Sequence, residues 1–236
     1  MKRLYMTLVA LGGLYNASQA MTPSLSTFNH EAAFVAPLTT VKGKKIIFLG
    51  RESTGRDKGL FDAFGGKRDA SDGNHPVMTA ARELHEEGIV QQTLGMSEKE
   101  LLDHVDLKAG NTELILAVQK ANGSSRHVLC LTGFSNKQAR AFKNTFATAY
   151  ANAPRGRQYR EKDEIASLVL DDLLQAIAAS RSNVGIHVVA HVVDLQGSVS
   201  KKLIILRPVF ARMLRGYAEG RTAIIGKDKR IRFYTL

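Results

Sequence analysis

The sequence predicts a mixed α/β sandwich, a single domain in which helices cover both faces of a mixed sheet, followed by a further α/β segment. Three observations carry this. At 236 residues the chain can bury a sizeable core, and one domain with additions suits that length. A composition of 44% hydrophobic and 23% charged residues, with no tryptophan, is that of an ordinary globular protein. Strand-like apolar runs and helical patterns alternate irregularly, which fits a mixed sandwich better than a regularly wound parallel sheet. There is no internal repeat or low-complexity tract. The single cysteine, Cys130, lies in the apolar run HVLCLTGF and reads as a small buried hydrophobe. It excludes an intramolecular disulfide and a CxxC metal site.

In chain order, residues 1–20 (MKRLYMTLVALGGLYNASQA) have the layout of a secretory signal peptide: Lys2 and Arg3, a short apolar stretch, then small residues. An ordinary first helix or strand, or a start of translation at Met21, would explain them equally. The chain would be exported under the first reading and cytoplasmic under the others. Residues 21–40 are polar and irregular and read as a linker. Residues 44–50 (KKIIFLG) predict a strand, 51–59 (RESTGRDKG) a polar loop, and 60–66 (LFDAFGG) a short strand ending in paired glycines.

A helix follows over 74–87, with Asn74 as N-cap, Pro76 in its first turn and Gly88 as its stop. Val77, Ala80, Ala81 and Leu84 mark its buried stripe. A second helix over 96–105 is capped by Ser97. Residues 113–120 and 127–134 form a hairpin through ANGSSR, and 136–151 form a helix. A strand at 164–170 runs into a helix at 171–179. After residue 180 come strands near 187–195 and 202–206, a helix at 208–219 and a last hairpin turning at GKDK.

The dense part of the first helix is RELHEEG. On a helix Glu83, Glu86 and Glu87 stand at i, i+3 and i+4 and project from one flank. Such like-charged pairs cost about 0.2–0.5 kcal/mol each unless something offsets them. Arg82 reaches Glu86 one turn on. Two readings account for the rest: solvent absorbs it, as on any acidic helix face, or a hard divalent cation sits among the carboxylates, since magnesium takes oxygen ligands of this kind.

These residues resemble the Nudix hydrolase box: Gly, five residues, Glu, seven residues, then Arg-Glu-hydrophobic-x-Glu-Glu-x-Gly. Residues 82–87 match the helical half, and Phe61-Asp62-Ala63-Phe64-Gly65-Gly66-Lys67 looks like the strand and double glycine that open it. Three departures stand out. The loop glutamate expected eight residues before the arginine is Asn74, the loop is two residues longer and holds Asp69 and Asp72 as stray acids, and Gly88 follows Glu87 without the spacer. Farther on, Glu161-Lys162-Asp163-Glu164-Ile165 is similar to the family's late acidic segment, though without the tryptophan that often follows it.

The resemblance spans roughly residues 40–180 and implies the fold, a Nudix domain over 41–180, and hydrolysis of a pyrophosphate bond. The substrate class would be a nucleoside diphosphate joined to another group: a nucleotide sugar such as ADP-ribose, a dinucleotide or a nucleoside triphosphate. It implies Mg2+ or Mn2+ held by Glu83, Glu86, Glu87 and the Gly65 carbonyl, completed by Glu161 or Glu164, with Arg82 orienting the glutamates. Arg51, Lys67 and Arg157 are candidate phosphate ligands and Phe61 a candidate base platform, against the plain readings of surface charge and core aromatic. His85 fills the position the pattern leaves free.

Net charge is +11, and after Leu195 ten lysines and arginines face only Glu219 and Asp228. This favours anionic partners, although the spacing matches no nucleic-acid motif. The basic extension over 181–236 would pack on the same domain and could cover the substrate, form a homodimer or bind RNA or another polyanion. Two further functions therefore stand beside the hydrolase: a catalytically weak nucleotide- or RNA-binding module, and an enzyme acting on RNA ends.

Overall fold

The computed structural model describes residues 24–154, 156–180, 186–193, 198–221 and 223–236. The leader reading of residues 1–20 lies outside them. Among the described residues no helix is long and apolar enough to cross a membrane.

The sheet has 11 strands. At its middle lies β1 (Ala32–Val41), antiparallel to β2 (Lys44–Glu52) along one half of that edge and to β4 (Phe64–Lys67) along the other. Its opposite edge runs parallel to β6 (Arg126–Gly133), which forms the expected antiparallel hairpin with β5 (Thr112–Gln119). Beyond β5, β11 (Ile231–Thr235) adds in parallel and β10 (Ile224–Ile225) closes that end. On the other side β2 pairs with β7 (Lys162–Val169) and with the short β3 (Phe61–Asp62). Then β8 (Ile186–Val193) and β9 (Val199–Leu206) link β7 back to β3, so the pairings β2–β7–β8–β9–β3 close into a ring.

The strand alternation assigns the two core layers. Ile46 and Phe48 point to one face, where α1 (Pro76–Glu87), α2 (Val90–Leu94), α3 (Glu98–Val105) and α4 (Asn136–Asn152) pack. Ile47 and Leu49 point to the other, under α5 (Leu170–Ala179) and α6 (Pro208–Ala218). Cys130 is fully buried in the first layer, as expected, and burial pushes its thiol up to about 12.

The linker reading of 21–40 is corrected by β1. Residues 32–39 are all buried, so the segment shows no alternation of polar and apolar residues to betray a strand. Pro37 lies inside this central strand. It falls in the gap between the residues paired with β4 (Ala32 to Val35) and those paired with β2 (Leu38 to Val41), where a missing N–H breaks neither antiparallel ladder. The first helix is capped by His75 rather than Asn74, with Pro76 at its first position. The basic C-terminal segment does more than lie on a finished domain, because β8, β9 and β11 are strands of the same sheet.

Candidate active site

Helix α1 is pinned against β1 and β4 by Ala80, Ala81 and Leu84, all fully or almost fully buried. That anchoring separates the three glutamates. Glu83 and Glu86 stay at the rim, while Glu87, one position beyond Glu86 and 100° around the axis, turns under the helix and is 2% exposed. Its Oε2 accepts the Gly65 N–H at 2.7 Å. Gly65 and Gly66 are required by close approach: a Cβ on Gly66 would lie 2.5 Å from Glu83 Oε1.

Arg82 braces the rim. Its Nη1 is 2.9 Å from Glu83 Oε1 and 3.8 Å from Glu86 Oε2. Its Nε and Nη2 donate to the two oxygens of Asp72 at 3.1 and 3.0 Å, and Nη2 also donates to the Lys67 carbonyl. Asp72 further accepts the Thr79 hydroxyl and the Asp69 N–H, both at 2.9 Å. Burial raises its carboxyl, but the hydrogen bonds from Arg82, Asp69 and Thr79 outweigh this and hold it below the usual range.

Asp72 therefore does what the sequence comparison sought at Asn74. Counted from Gly66, five residues intervene before Asp72, and the extra two residues lie between Asp72 and Arg82. Asn74 is exposed, and its Oδ1 accepts from Arg68.

The rim carboxyls are uncomfortable in the absence of further positive charge. Burial lifts Glu83 to about 7, Arg82 offsets only part of that, and Glu86 and Glu161 add to it. Glu86 is also raised, by burial first and then by Glu98, Asp69 and Glu161 against the pull of Arg82. Glu161 therefore faces this rim. Glu164 does not: it pairs with Arg51 at 2.9 Å and with Lys202 at 2.5 Å. Among the described residues no three His, Cys, Asp or Glu side chains converge closely enough to hold a metal ion as they stand. The donor chemistry of Glu83, Glu86 and Glu161, carboxylates crowding one rim, nonetheless suits a hard cation. Glu87 is spoken for.

Its partner is Lys162, which sequence reasoning missed. The side chain is fully buried, with Nζ 2.5 Å from Glu52 Oε1 and 3.7 Å from Glu87 Oε1. Burial would lower its pKa, but Glu87, Asp62 and Glu52 raise it further, so the ammonium stays charged. Burial holds Glu87 well above the usual carboxylate range despite Lys162. Arg207 completes the group, with Nη1 3.0 Å from Asp62 Oδ2 and Nε 2.9 Å from Asp57. Asp62 is fully buried, and burial raises it to about 6 against the pull of Lys162 and Arg207. Gly50 was the one available signal. A Cβ there would come within 2.8 Å of the Lys162 chain, so a glycine interrupts an apolar strand to admit a lysine.

The remaining candidates disperse. Arg51 is held by Asp163 and Glu164 and does not face the box. Phe61 is 4% exposed in the second core layer, which removes it as a platform for a base. Lys67 is exposed and lines a cleft of about 490 Å³ together with Gly65, Gly66, Arg56 and Arg212. Arg157 lies in a 3₁₀ turn over Arg157–Arg160, and its side chain is outside the described set.

No protein-family model matches the chain, and no curated protein matches its sequence. Among solved structures it is similar to the NUDIX domain of Shewanella oneidensis NrtR complexed with ADP ribose, at 15% identity over 62% of this chain and 77% of that one, TM-score 0.37. It is also similar to a MutT/nudix family protein from Enterococcus faecalis, at 11% identity over 84% of this chain and 63% of that one, TM-score 0.38. A third is a C. elegans Ap4A hydrolase, at 11% identity over 61% of this chain and 84% of that one, TM-score 0.35. Likenesses this distant say nothing of this chain's chemistry, which is read from its own side chains.

Proposed function

We propose that this chain is a Nudix-type hydrolase that cleaves the pyrophosphate linkage of a nucleoside diphosphate joined to another group. The observation that carries the reading is the brace from Asp72 through Arg82 to Glu83, which fixes a raised carboxylate against the bare backbone of Gly66. Such a brace is wasted on a solvated face, where ion pairs contribute little. Glu83, Glu86 and Glu161 would hold a magnesium or manganese ion, which when bound supplies charge neutralisation at the phosphoryl oxygens. Arg82 keeps Glu83 in place by a charge-assisted contact. Gly65 and Gly66 line the adjoining cleft, where Lys67 offers a phosphate a cation.

One observation favours a second reading, a nucleotide-binding module with little turnover. Glu87 is buried between the Gly65 N–H and Lys162, so the box offers fewer free carboxylates than the motif suggests. A panel of ADP-ribose, dinucleotides and nucleoside triphosphates, incubated with and without magnesium and read by monophosphate release, separates the two. The hydrolase reading expects magnesium-dependent release that falls at least about a hundredfold in Glu83→Gln. Nucleotide binding with no release from any substrate would leave only the module.

A further inference from the structure

The cleft beside Gly65 and Gly66 does not end there. It shares Ala32, Lys67 and His127 with a second cleft of about 450 Å³, so the two form one trough across the edge of β4 and β6. Arg56, Lys67 and Arg212 line the first part, and Arg68 and Arg126 the second. Lys67, Arg68, Arg126 and Arg212 have no carboxylate within ion-pair distance among the described residues. Arg56 comes no closer than 3.7 Å to Asp57, which Arg207 holds at 2.9 Å. Arg207, which also lines the first part, is held by Asp57 and Asp62. Arg68 is also held by Asn29 and Asn74, and Asp57 and Glu31 line the trough as well. Yet its lining carries six cations (Arg56, Lys67, Arg68, Arg126, Arg207, Arg212) against those two acids, and such an excess gathered in a concavity focuses a field that attracts anions.

The floor decides which anion. Phe34 is 4% exposed, and its ring meets His127 edge-on at 6.1 Å, while His127 Nε2 is bound to Ser125 Oγ at 3.0 Å. Among the described residues the rings lining the trough are the buried Phe34 and one half-exposed imidazole, His127, not the row of open faces that stacks successive bases of single-stranded nucleic acid. Guanidinium forks instead match the oxygens of phosphate groups.

We propose that this trough is a binding site for a chain of phosphates, so that the preferred substrate is a nucleotide carrying phosphates beyond the linkage held at the box. Taking the ligand as substrate rests on the hydrolase reading; the affinity of the trough for a phosphate chain does not. Arg212 comes from α6, so the C-terminal segment contributes directly to recognition.

The test is calorimetric titration of the full chain with inorganic tripolyphosphate in the presence of a chelator. Saturable binding is expected, weakened about tenfold or more in Arg212→Ala and in Arg126→Ala. Lys201→Ala removes the same charge from an exposed position on β9 outside the trough and should change affinity by no more than about twofold. Circular dichroism on each variant confirms folding, and either of the two trough variants suffices. No uptake of tripolyphosphate, or equal losses in all three variants, would overturn the proposal. So would a single-stranded oligonucleotide of about ten nucleotides binding more than about tenfold tighter than tripolyphosphate. Binding as expected, with no nucleotide turned over in magnesium, would end the hydrolase reading and leave the trough standing. Turnover without tripolyphosphate binding would do the reverse.

Discussion

Asp72 receives two guanidinium nitrogens from Arg82 and the hydroxyl of Thr79, and behind Thr79 stands His30, with Nε2 2.9 Å from the Thr79 oxygen. Because Thr79 gives its proton to the carboxylate, His30 Nε2 must be the donor to Thr79, and its lone pair sits on Nδ1. That atom is buried without a partner among the described residues. A proton there would have nowhere to bond, and burial, with Arg68 nearby, lowers the His30 pKa from 6.5 to about 4. The folded state thus binds fewer protons than the unfolded one between these values. Stability from this group is full above about pH 6.5 and is lost as pH falls toward 4, up to about 3 kcal/mol. The difference in unfolding free energy between wild type and His30→Gln should therefore shrink across that window by that order; a difference flat with pH would refute the tautomer and its burial. The brace itself predicts that Asp72→Asn costs about 3 kcal/mol in denaturant unfolding, since it leaves Arg82 facing the rim without its buried partner. A double-mutant cycle with Arg82→Met should return a coupling of about 1–3 kcal/mol, and a coupling near zero would show that the contact does not stabilise the box. Neither Asp72 as the partner of Arg82 nor His30 as the partner of Thr79 was legible, because the links run through space between the segment before β1, the loop and α1. The motif located the carboxylates, and counting back from the arginine put the brace on the wrong residue.

At the scale of elements, the end of α1 shows how a motif can be kept in chemistry and altered in geometry. The expected stop at Gly88 is observed, yet Gly88 has φ −81°, and the left-handed residue is Ile89 at φ 51°. The box pattern would place its glycine at that next position. Here the glycine has another duty: a Cβ on residue 88 would meet the Leu84 carbonyl at 2.6 Å and Phe142 of α4 at 3.1 Å. Phe142 is itself fully buried among Phe48, Phe64, Phe134 and Phe146. The strain of a β-branched residue in the left-handed region is offset by burying Ile89 completely as the entry to α2. Gly88→Ala should then destabilise by roughly 1–3 kcal/mol through overpacking. Its effect should be relieved in part by Phe142→Leu; an alanine tolerated without cost would mean that α4 can move away. Helices with caps and clear periodicity, α3 with its Ser97 capping box and α4 with Ser135, were legible because local signals suffice. The short α2 and the fully buried β1 were not, since one is a single turn after a glycine and the other has no polar face to set a period.

At the scale of the whole molecule, the basic segment after residue 180, expected to pack on the same domain as strands, a helix and a hairpin, goes further and supplies strands of the sheet itself. Strand β11 runs parallel to β5, from Ile231 opposite Ile115 to Thr235 opposite Gln119, and β9 forms an eight-residue antiparallel ladder with β8, from Ile186–Leu206 to Val193–Val199. Helix α6 covers the second face with Phe210, Met213 and Leu214, all fully or almost fully buried. Removing residues 181–236 would uncover β5 as a bare edge and expose the apolar faces of Leu116, Leu129 and Leu131 that share that layer. It would also take Arg207 from Asp62, leaving a buried carboxyl with Lys162 as its remaining cation. A chain ending at Ser180 is therefore expected to be insoluble or to lack a cooperative unfolding transition, even though it retains every residue of the box. The charge of the segment hid this, because its exposed lysines stand beside an inward set, Ile186, Val188, Ile204, Leu206, Phe210, Met213 and Leu214, that fills the second core layer. If the shortened chain instead unfolded cooperatively with a midpoint close to that of the full protein, residues 181–236 would be an appendage, and the phosphate trough would lose the element that supplies Arg212.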